Sequence, residues 1–402
     1  MQPLVLHARR ALTPLEQVDD AVVVVAADRI VALGRRGEIR TPESARWLAF
    51  PDCTIVPGFV DIHIHGAAGH DVMEATPDAL AALTSAVARF GTTTLLATTV
   101  TAPLEHTLRS LRGLADYILA QPTNSPPATR QARIAGLHLE GPFINPARRG
   151  VHPEEFILAP SLPVLEQMLE AAQGQAKLLT LAPELPGALE LVAAARRHGL
   201  VVCIGHTDAT DQQTRAAIQQ GVQHAVHMFN AMRPFSHRDT GVIGAVLTAP
   251  EVTAELIADG VHVHPAAMQL LLAAKGVDRV ILVSDGTAAT GMPDGNYRLG
   301  TLPVVVSGGV CRDPQGRLAG STLTLDRALR NIVGLGVAFE EALRMVTLNP
   351  ARLLGMESTL GVLAPGAQAD LVLLDGDLQV RGVMTRGTGL LESGEKRGYG
   401  TA

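Results

Sequence analysis

Six side chains able to bind a metal or move a proton recur where apolar stretches of this chain end. The first two are His63 and His65, in Asp61-Ile-His-Ile-His-Gly66. Residues two apart on a strand face the same side, so both imidazoles can reach one point. By itself this segment is equally a buried strand that happens to carry two histidines. Further along, Glu140 closes an apolar run, His206 and His227 close two more, and Asp285 closes another. Each alone has a plain alternative, since a strand-end His can satisfy a core hydrogen bond and a strand-end Asp can cap the next helix. Together they point to a metal centre, because imidazole nitrogen and carboxylate oxygen bind Zn²⁺ or a similar divalent ion and leave a position for water. Such an ion lowers the pKa of its water toward ~7 and polarises a carbonyl oxygen. Asp285, in Val283-Ser-Asp-Gly286, is placed to take a proton from that water and return it to a leaving group. The chemistry is metal-assisted hydrolysis of a C–N or C–O bond.

These residues must be positioned by regular elements. Strands are expected at 54–64, 92–100, 133–140, 177–182, 200–206, 222–228, 252–258 and 279–285. Helical patterns lie between most of them, at 77–90, 104–120, 161–172, 187–198, 210–220 and 265–276, and two more follow at 323–335 and 339–348. Ala79-Leu-Ala-Ala-Leu83 through Val87 has the apolar spacing of a helix packed on one face. Eight strands with intervening helices over roughly 290 residues match a (β/α)₈ barrel, in which functional groups sit at the C-terminal ends of the strands. An open doubly wound sheet is the runner-up, since periodicity cannot show closure. Asn349-Pro350 reads as a helix stop. Residues 1–50 hold short strands, with a hairpin turning at Asp28, and strands return after Gly361, including 370–375. Both termini are therefore expected to form one small β-sandwich domain, residues 1–56 and 355–402, around a catalytic barrel of 57–354. Gln121-Pro-Thr-Asn-Ser-Pro-Pro-Ala-Thr129 reads as a surface connector.

The totals exclude several function classes. The chain has 402 residues, 47% of them hydrophobic, enough for a sizeable core. Its net charge of −6 and 3% aromatic content leave no footprint for nucleic acid, nor for an acidic membrane. No apolar segment approaches the ~20 residues of a membrane helix. Cys53, Cys203 and Cys311 lie far apart without CxxC spacing, which fits a reducing, cytoplasmic location and makes Cys203 a small core residue. No GxSxG, GxxxxGK[ST] or GxGxxG is present, which disfavours serine hydrolase, NTPase and dehydrogenase chemistry.

Pro57-Gly-Phe-Val-Asp-Ile-His-Ile-His-Gly66 resembles the start of the amidohydrolase superfamily barrel. Asn349-Pro-Ala-Arg-Leu-Leu-Gly355 and Gly361-Val-Leu-Ala-Pro-Gly-Ala-Gln-Ala-Asp-Leu-Val372 resemble that superfamily's return to its β-domain. His138-Leu-Glu-Gly-Pro-Phe143, Gly205-His-Thr207, His227-Met-Phe-Asn-Ala-Met232, Ile257-Ala-Asp-Gly-Val-His262 and Ser284-Asp-Gly286 together resemble the N-acetylglucosamine-6-phosphate deacetylase family. The resemblance implies hydrolysis of an N-acetyl amino-sugar 6-phosphate to the amine and acetate, by a homodimer holding a divalent metal, zinc foremost. It implies Glu140, His206 and His227 as the main ligands, Asp285 as general base and acid, and a second ion site open at His63 and His65. It further implies that His152 contacts the acetamido carbonyl, that Asn230 and Ala231 contact the sugar and its phosphate, and that Arg238 and His262 bind the phosphate. A guanidinium grips phosphate oxygens with paired hydrogen bonds. From spacing alone His152 is a solvated loop histidine and Arg238 one charge in a solvated run. Gly320-Ser-Thr-Leu323 resembles a loop closing over the sugar, and its hydroxyls also suit a helix N-cap. His70 is left as a surface residue.

Three competing functions stay open. The galactosamine epimer differs at one sugar hydroxyl that no motif fixes. A cyclic-amide hydrolase on this scaffold is more distant, because it usually carries a carboxylated lysine and only Lys177, Lys275 and Lys396 are available. A non-catalytic sugar-phosphate binder would have no use for a free Asp285 beside an open ligand position.

Overall fold

The structure is a computed structural model and describes residues 2–122, 127 and 129–390. Most of the 121–129 connector and the 391–402 end of the second terminal segment lie outside the described residues.

Eight parallel strands hydrogen-bond in chain order: Phe59–Ile64, Thr92–Thr99, Arg133–Glu140, Ala176–Leu181, Val201–Ile204, Val222–Ala225, Thr253–Leu256 and Val280–Leu282. The chain leaving the eighth strand returns to the first. Asp285 N–H donates to the His63 carbonyl at 2.9 Å and His65 N–H to the Gly286 carbonyl at 2.8 Å. These bonds close a TIM-type barrel and set Asp285 beside the two strand-one histidines. The outer helices start where local chemistry dictates. Thr76 and Ser161 cap helices Pro77–Ala88 and Leu162–Ala171, each with Pro in its first turn, and Thr210 with Gln213 forms a capping box on Asp211–Gln220.

A separate six-stranded sheet takes strands from both ends of the chain, in the order Val380–Met384, Leu371–Leu374, Arg46–Pro57, Leu4–Leu12, Gln17–Ala26, Arg29–Arg35. The hairpin expected at Asp28 joins the last two strands, with Ala27 left-handed at φ 52°. Residues 21–25 are buried on both faces, so the strand reads as a continuous apolar run rather than an alternating one. Among the described residues no helix is long and apolar enough to cross a membrane.

Four expectations need correction. The run 54–64 is not one strand: it breaks at Gly58, with Arg46–Pro57 in the terminal sheet and Phe59–Ile64 in the barrel. Apolar character is the same on both sides of the break, so the pattern cannot mark it. A Cβ at Gly58 would lie 2.0 Å from Thr93 Oγ1, which is why the crossing residue is glycine. Asn349-Pro350 does not end helical structure: helix Phe339–Val346 closes at Thr347, just ahead of the pair, but both residues then lie in the first turn of a new helix, Leu348–Leu353, where a missing N–H is harmless. Ser321 and Thr322 cap no helix; Thr324 stands at the N-cap of Leu325–Gly334 without a side-chain bond, and Ser321 Oγ donates to the Ser284 carbonyl instead. Helix Gly241–Thr248 and a three-stranded sheet, Gly295–Leu299, Leu302–Ser307 and Val310–Arg312, were not foreseen. The helix is Gly-Val-Ile-Gly-Ala-Val-Leu-Thr, which has no polar face to show a period.

Gly387 joins the end of the terminal sheet to the hairpin turn. Its φ is +83° and a Cβ there would lie 2.0 Å from the Ala27 carbonyl oxygen. Backbone cannot swing aside as a side chain can. Gly387→Ala is expected to lower the unfolding free energy by about 1–3 kcal/mol, read from denaturant midpoints, without altering metal content.

Candidate functional site

The barrel rim gathers the expected residues. Glu140 is the last residue of the third strand, His63 lies within the first and His65 just beyond it, His206 and His227 follow the fifth and sixth, and Asp285 follows the eighth. His206, His227 and Asp285 have φ of 46°, 27° and 49°, a left-handed conformation that non-glycine residues rarely adopt. Three such residues at three strand exits, all turned to one point, are strain retained for a site.

Glu140 is the centre. Its Oε1 lies 3.3 Å from His63 Nε2, 3.2 Å from His206 Nε2 and 3.1 Å from His227 Nε2. Its Oε2 lies 3.3 Å from His65 Nε2 and 3.5 Å from His152 Nε2. His206 Nε2 and His227 Nε2 are 3.0 Å apart. Asp285 Oδ1 stands 3.3 Å from His65 Nε2 and 3.7 Å from His63 Nε2. All of these side chains are buried, and His65, Glu140, His152, His206, His227 and Asp285 line a cavity of about 200 Å³.

The partners of the other ring nitrogen sort the histidines by proton position. His65 Nδ1–H donates to the Thr98 carbonyl at 3.0 Å, His206 Nδ1–H to the Arg148 carbonyl at 3.1 Å, and His63 Nδ1–H to Glu255 Oε2 at 2.8 Å. With Nδ1 committed to these acceptors, each ring turns its Nε2 toward the cluster, where it offers a lone pair in the neutral form. His152 is wired the other way: the Thr101 backbone N–H donates to its Nδ1 at 3.2 Å and the Thr101 hydroxyl lies at 2.8 Å. With Nδ1 accepting, the His152 proton sits on Nε2, so this histidine presents a donor to the cavity and is no metal ligand in that state.

The Nε2 atoms of His63, His65 and His206 facing carboxylate oxygens at 3.2–3.3 Å call for positive charge between them, supplied by a proton on the ring or by a cation in its place. A divalent cation fits this donor set of imidazole nitrogen and carboxylate oxygen. Electrostatics agree. Burial, reinforced by His152, pushes His206 down to about 4, so it is neutral at physiological pH. Burial would lower His65 as well, but the Asp285 and Glu140 carboxylates lift it to about 9, a demand for positive charge that a cation also meets. Burial opposes ionisation of Glu140, yet His63 and the surrounding imidazoles hold it well below the usual carboxylate range. Asp285 is likewise depressed, against burial, by His65 and His63, and stays ionised.

The remaining expected residues divide. Asn230, Ala231 and His262 line the cavity. His262 Nδ1 bonds Asp259 Oδ2 at 2.6 Å, and although burial disfavours its charge, that carboxylate raises its pKa. Arg238 is exposed on the loop after Met232 and does not line the cavity. His152 is not solvated, as its spacing implied, but 3% exposed, because the loop after Gly141-Pro142 folds back over Thr101. His70 pairs at the surface with Glu74. Lys177 and Lys275 stay away from the cavity; Lys275 donates to the Val246 and Ala249 carbonyls. Sequence reasoning missed Thr101, His138, His224 and Glu255. Glu255 had a signal, a carboxylate inside the apolar run 252–258, which is buried only with partners.

A model of the amidohydrolase family matches residues 54–390. The chain is 40% identical over 384 residues to an N-acetylgalactosamine-6-phosphate deacetylase of Escherichia coli O157:H7, covering 95% of this chain and 98% of that one. It is 37% identical over 367 residues to an N-acetylglucosamine-6-phosphate deacetylase of Vibrio furnissii, covering 90% of each. A mutant N-acetyl-D-glucosamine-6-phosphate deacetylase from Mycobacterium smegmatis, solved in complex with N-acetyl-D-glucosamine-6-phosphate, superimposes with a TM-score of 0.89 at 38% identity over 97% of this chain and 99% of that one.

Proposed function

The chain belongs to the amidohydrolase family, a metal-dependent family of hydrolases, and on that premise we propose that it cleaves the acetamido group of N-acetyl-D-glucosamine 6-phosphate to D-glucosamine 6-phosphate and acetate. Most of the similar deacetylases bear that substrate in their names. The observation that carries the proposal is Asp285, an ionised carboxylate at the mouth of a donor cluster centred on Glu140.

Glu140, His206 and His227 would hold a divalent ion, zinc foremost among those that imidazole and carboxylate donors accept, and His63 with His65 would hold a second. When bound, a divalent cation supplies Lewis acidity and makes water a stronger acid. The chain's own residues do the rest. Asp285 takes the proton of the attacking water and then delivers it to the departing amine nitrogen. His152 donates its Nε2 proton as a hydrogen bond to the acetamido oxygen as negative charge develops there. Asn230 and Ala231 border the sugar, and His262, whose pKa the Asp259 carboxylate raises, meets the phosphate. Arg238 would complete phosphate binding from its exposed loop, in its own subunit or across a homodimer.

A second possibility is the galactosamine epimer, favoured by the 40% identity to the E. coli enzyme. Acetate release from purified, metal-loaded protein tests both. The expected order of kcat/KM is N-acetylglucosamine 6-phosphate, then its galactosamine epimer, then unphosphorylated N-acetylglucosamine far behind. Preference for the epimer would replace the first proposal by the second. Equal turnover of the unphosphorylated sugar would remove Arg238 and His262 from substrate binding.

A further inference from the structure

Beneath the cation cluster lies a second buried polar layer that the chemistry above does not use. Its centre is Glu255, on the seventh strand and fully buried. Glu255 Oε2 accepts His63 Nδ1–H at 2.8 Å and the backbone N–H of His227 at 2.9 Å, and Oε1 accepts His224 Nε2–H at 3.1 Å. The neighbouring His138 is occupied otherwise: its Nδ1–H donates to the Ile62 carbonyl at 3.2 Å and its Nε2 accepts the Thr180 hydroxyl at 2.7 Å.

We propose that Glu255 is the positioning residue of the cation site, holding His63 with its Nε2 lone pair toward Glu140 and Asp285 while fixing the backbone that carries His227. One carboxylate thus ties together a ligand from each of the two ion positions. A carboxylate behind a metal-bound imidazole fixes its tautomer and ring orientation and makes the other nitrogen a better donor. No other described group reaches His63 Nδ1 in this role. His65 and His206 lean on neutral backbone carbonyls instead, so His63 is the ligand with a charged support. A buried carboxylate kept only for packing would be costly, since apolar residues of similar volume fill such a space as well or better.

The inference rests on the cation reading of the site, and its test separates the two. Apo protein is titrated with Co²⁺, read by visible absorption and equilibrium dialysis, for wild type, Glu255→Gln and His224→Gln. Glutamine keeps the shape of Glu255. Its amide can face His224, whose Nδ1 partner, the Thr253 hydroxyl at 2.7 Å, takes either hydrogen-bonding role, so the fold is expected to survive. Glu255→Gln should weaken cobalt binding about 10–100-fold and change the visible spectrum, with apo melting close to wild type. His224→Gln disturbs the same layer but leaves the His63 bond, and should bind cobalt nearly as wild type does. Wild type that binds no Co²⁺ defeats the cation reading itself. Wild type that binds it, with Glu255→Gln binding equally and with the same spectrum, overturns the role of Glu255 alone, as does an equal loss in His224→Gln. The ¹⁵N spectrum of histidine-labelled, Zn²⁺-loaded wild type needs no variant: a His63 protonated at Nε2 also overturns it.

Discussion

Asp285→Asn is expected to lower kcat for acetate release by about 10²–10⁴-fold while KM moves little and the ion at Glu140 stays bound. The substitution is isosteric and removes the one ionised carboxylate at the cavity that is not surrounded by imidazoles on every side. Asp285 touches His65 at 3.3 Å but lies outside the tight ring formed by Glu140, His206 and His227. Its backbone is held independently, by Asp285 N–H to the His63 carbonyl at 2.9 Å and by Ser321 N–H to the Asp285 carbonyl at 2.7 Å, so an amide side chain should sit in the same place. What changes is the ability to accept and return a proton. Single-turnover acetate release with metal analysis on the same sample checks this. Full activity in Asp285→Asn would move the general base elsewhere; loss of all metal would make Asp285 a ligand first.

Glu140→Gln should remove both the bound ion and the activity. Five imidazoles converge on the Glu140 carboxylate, and an uncharged amide there offers the ion one neutral oxygen in place of an anionic pair. A ligand that binds only the folded state stabilises it by mass action, about 4 kcal/mol when the free ion is a thousandfold above its Kd. Wild type should therefore melt higher when Zn²⁺ is added to the apo protein, and Glu140→Gln should show little of that rise. The two variants differ in kind. Asp285→Asn keeps the metal-dependent stabilisation and loses turnover, whereas Glu140→Gln loses both. A Glu140→Gln protein with full metal content and a normal thermal response would show that the ion is held by the histidines without it.

Much of the site was legible because barrel geometry converts strand order into spatial convergence. Once eight strands could be counted, Glu140, His206, His227 and Asp285 had to meet, since parallel strands in sequential order put all their C-terminal ends on one rim. The positions of His63 and His65 followed from the two-residue repeat of a strand. The residue types then named the chemistry.

Tertiary structure decided what no spacing encodes. His63 and His152 are both histidines near the same cavity, but one carries its proton on Nδ1 and the other on Nε2, because a carboxylate faces the first and a backbone N–H the second. Those partners, Glu255 and Thr101, are 192 and 51 residues away in the chain. Arg238 could be placed in a polar run, but only the fold shows it standing outside the cavity of its own chain. The apolar run 54–64 likewise hid its break at Gly58, since hydrophobicity records burial and not which sheet does the burying. The opening histidines are the clearest case. Their identity and shared face were written in six residues, and which ring nitrogen each turns toward the cluster was set by the Glu255 carboxylate and the Thr98 carbonyl, because a neutral imidazole exposes a lone pair on one nitrogen only when the other has somewhere to place its proton.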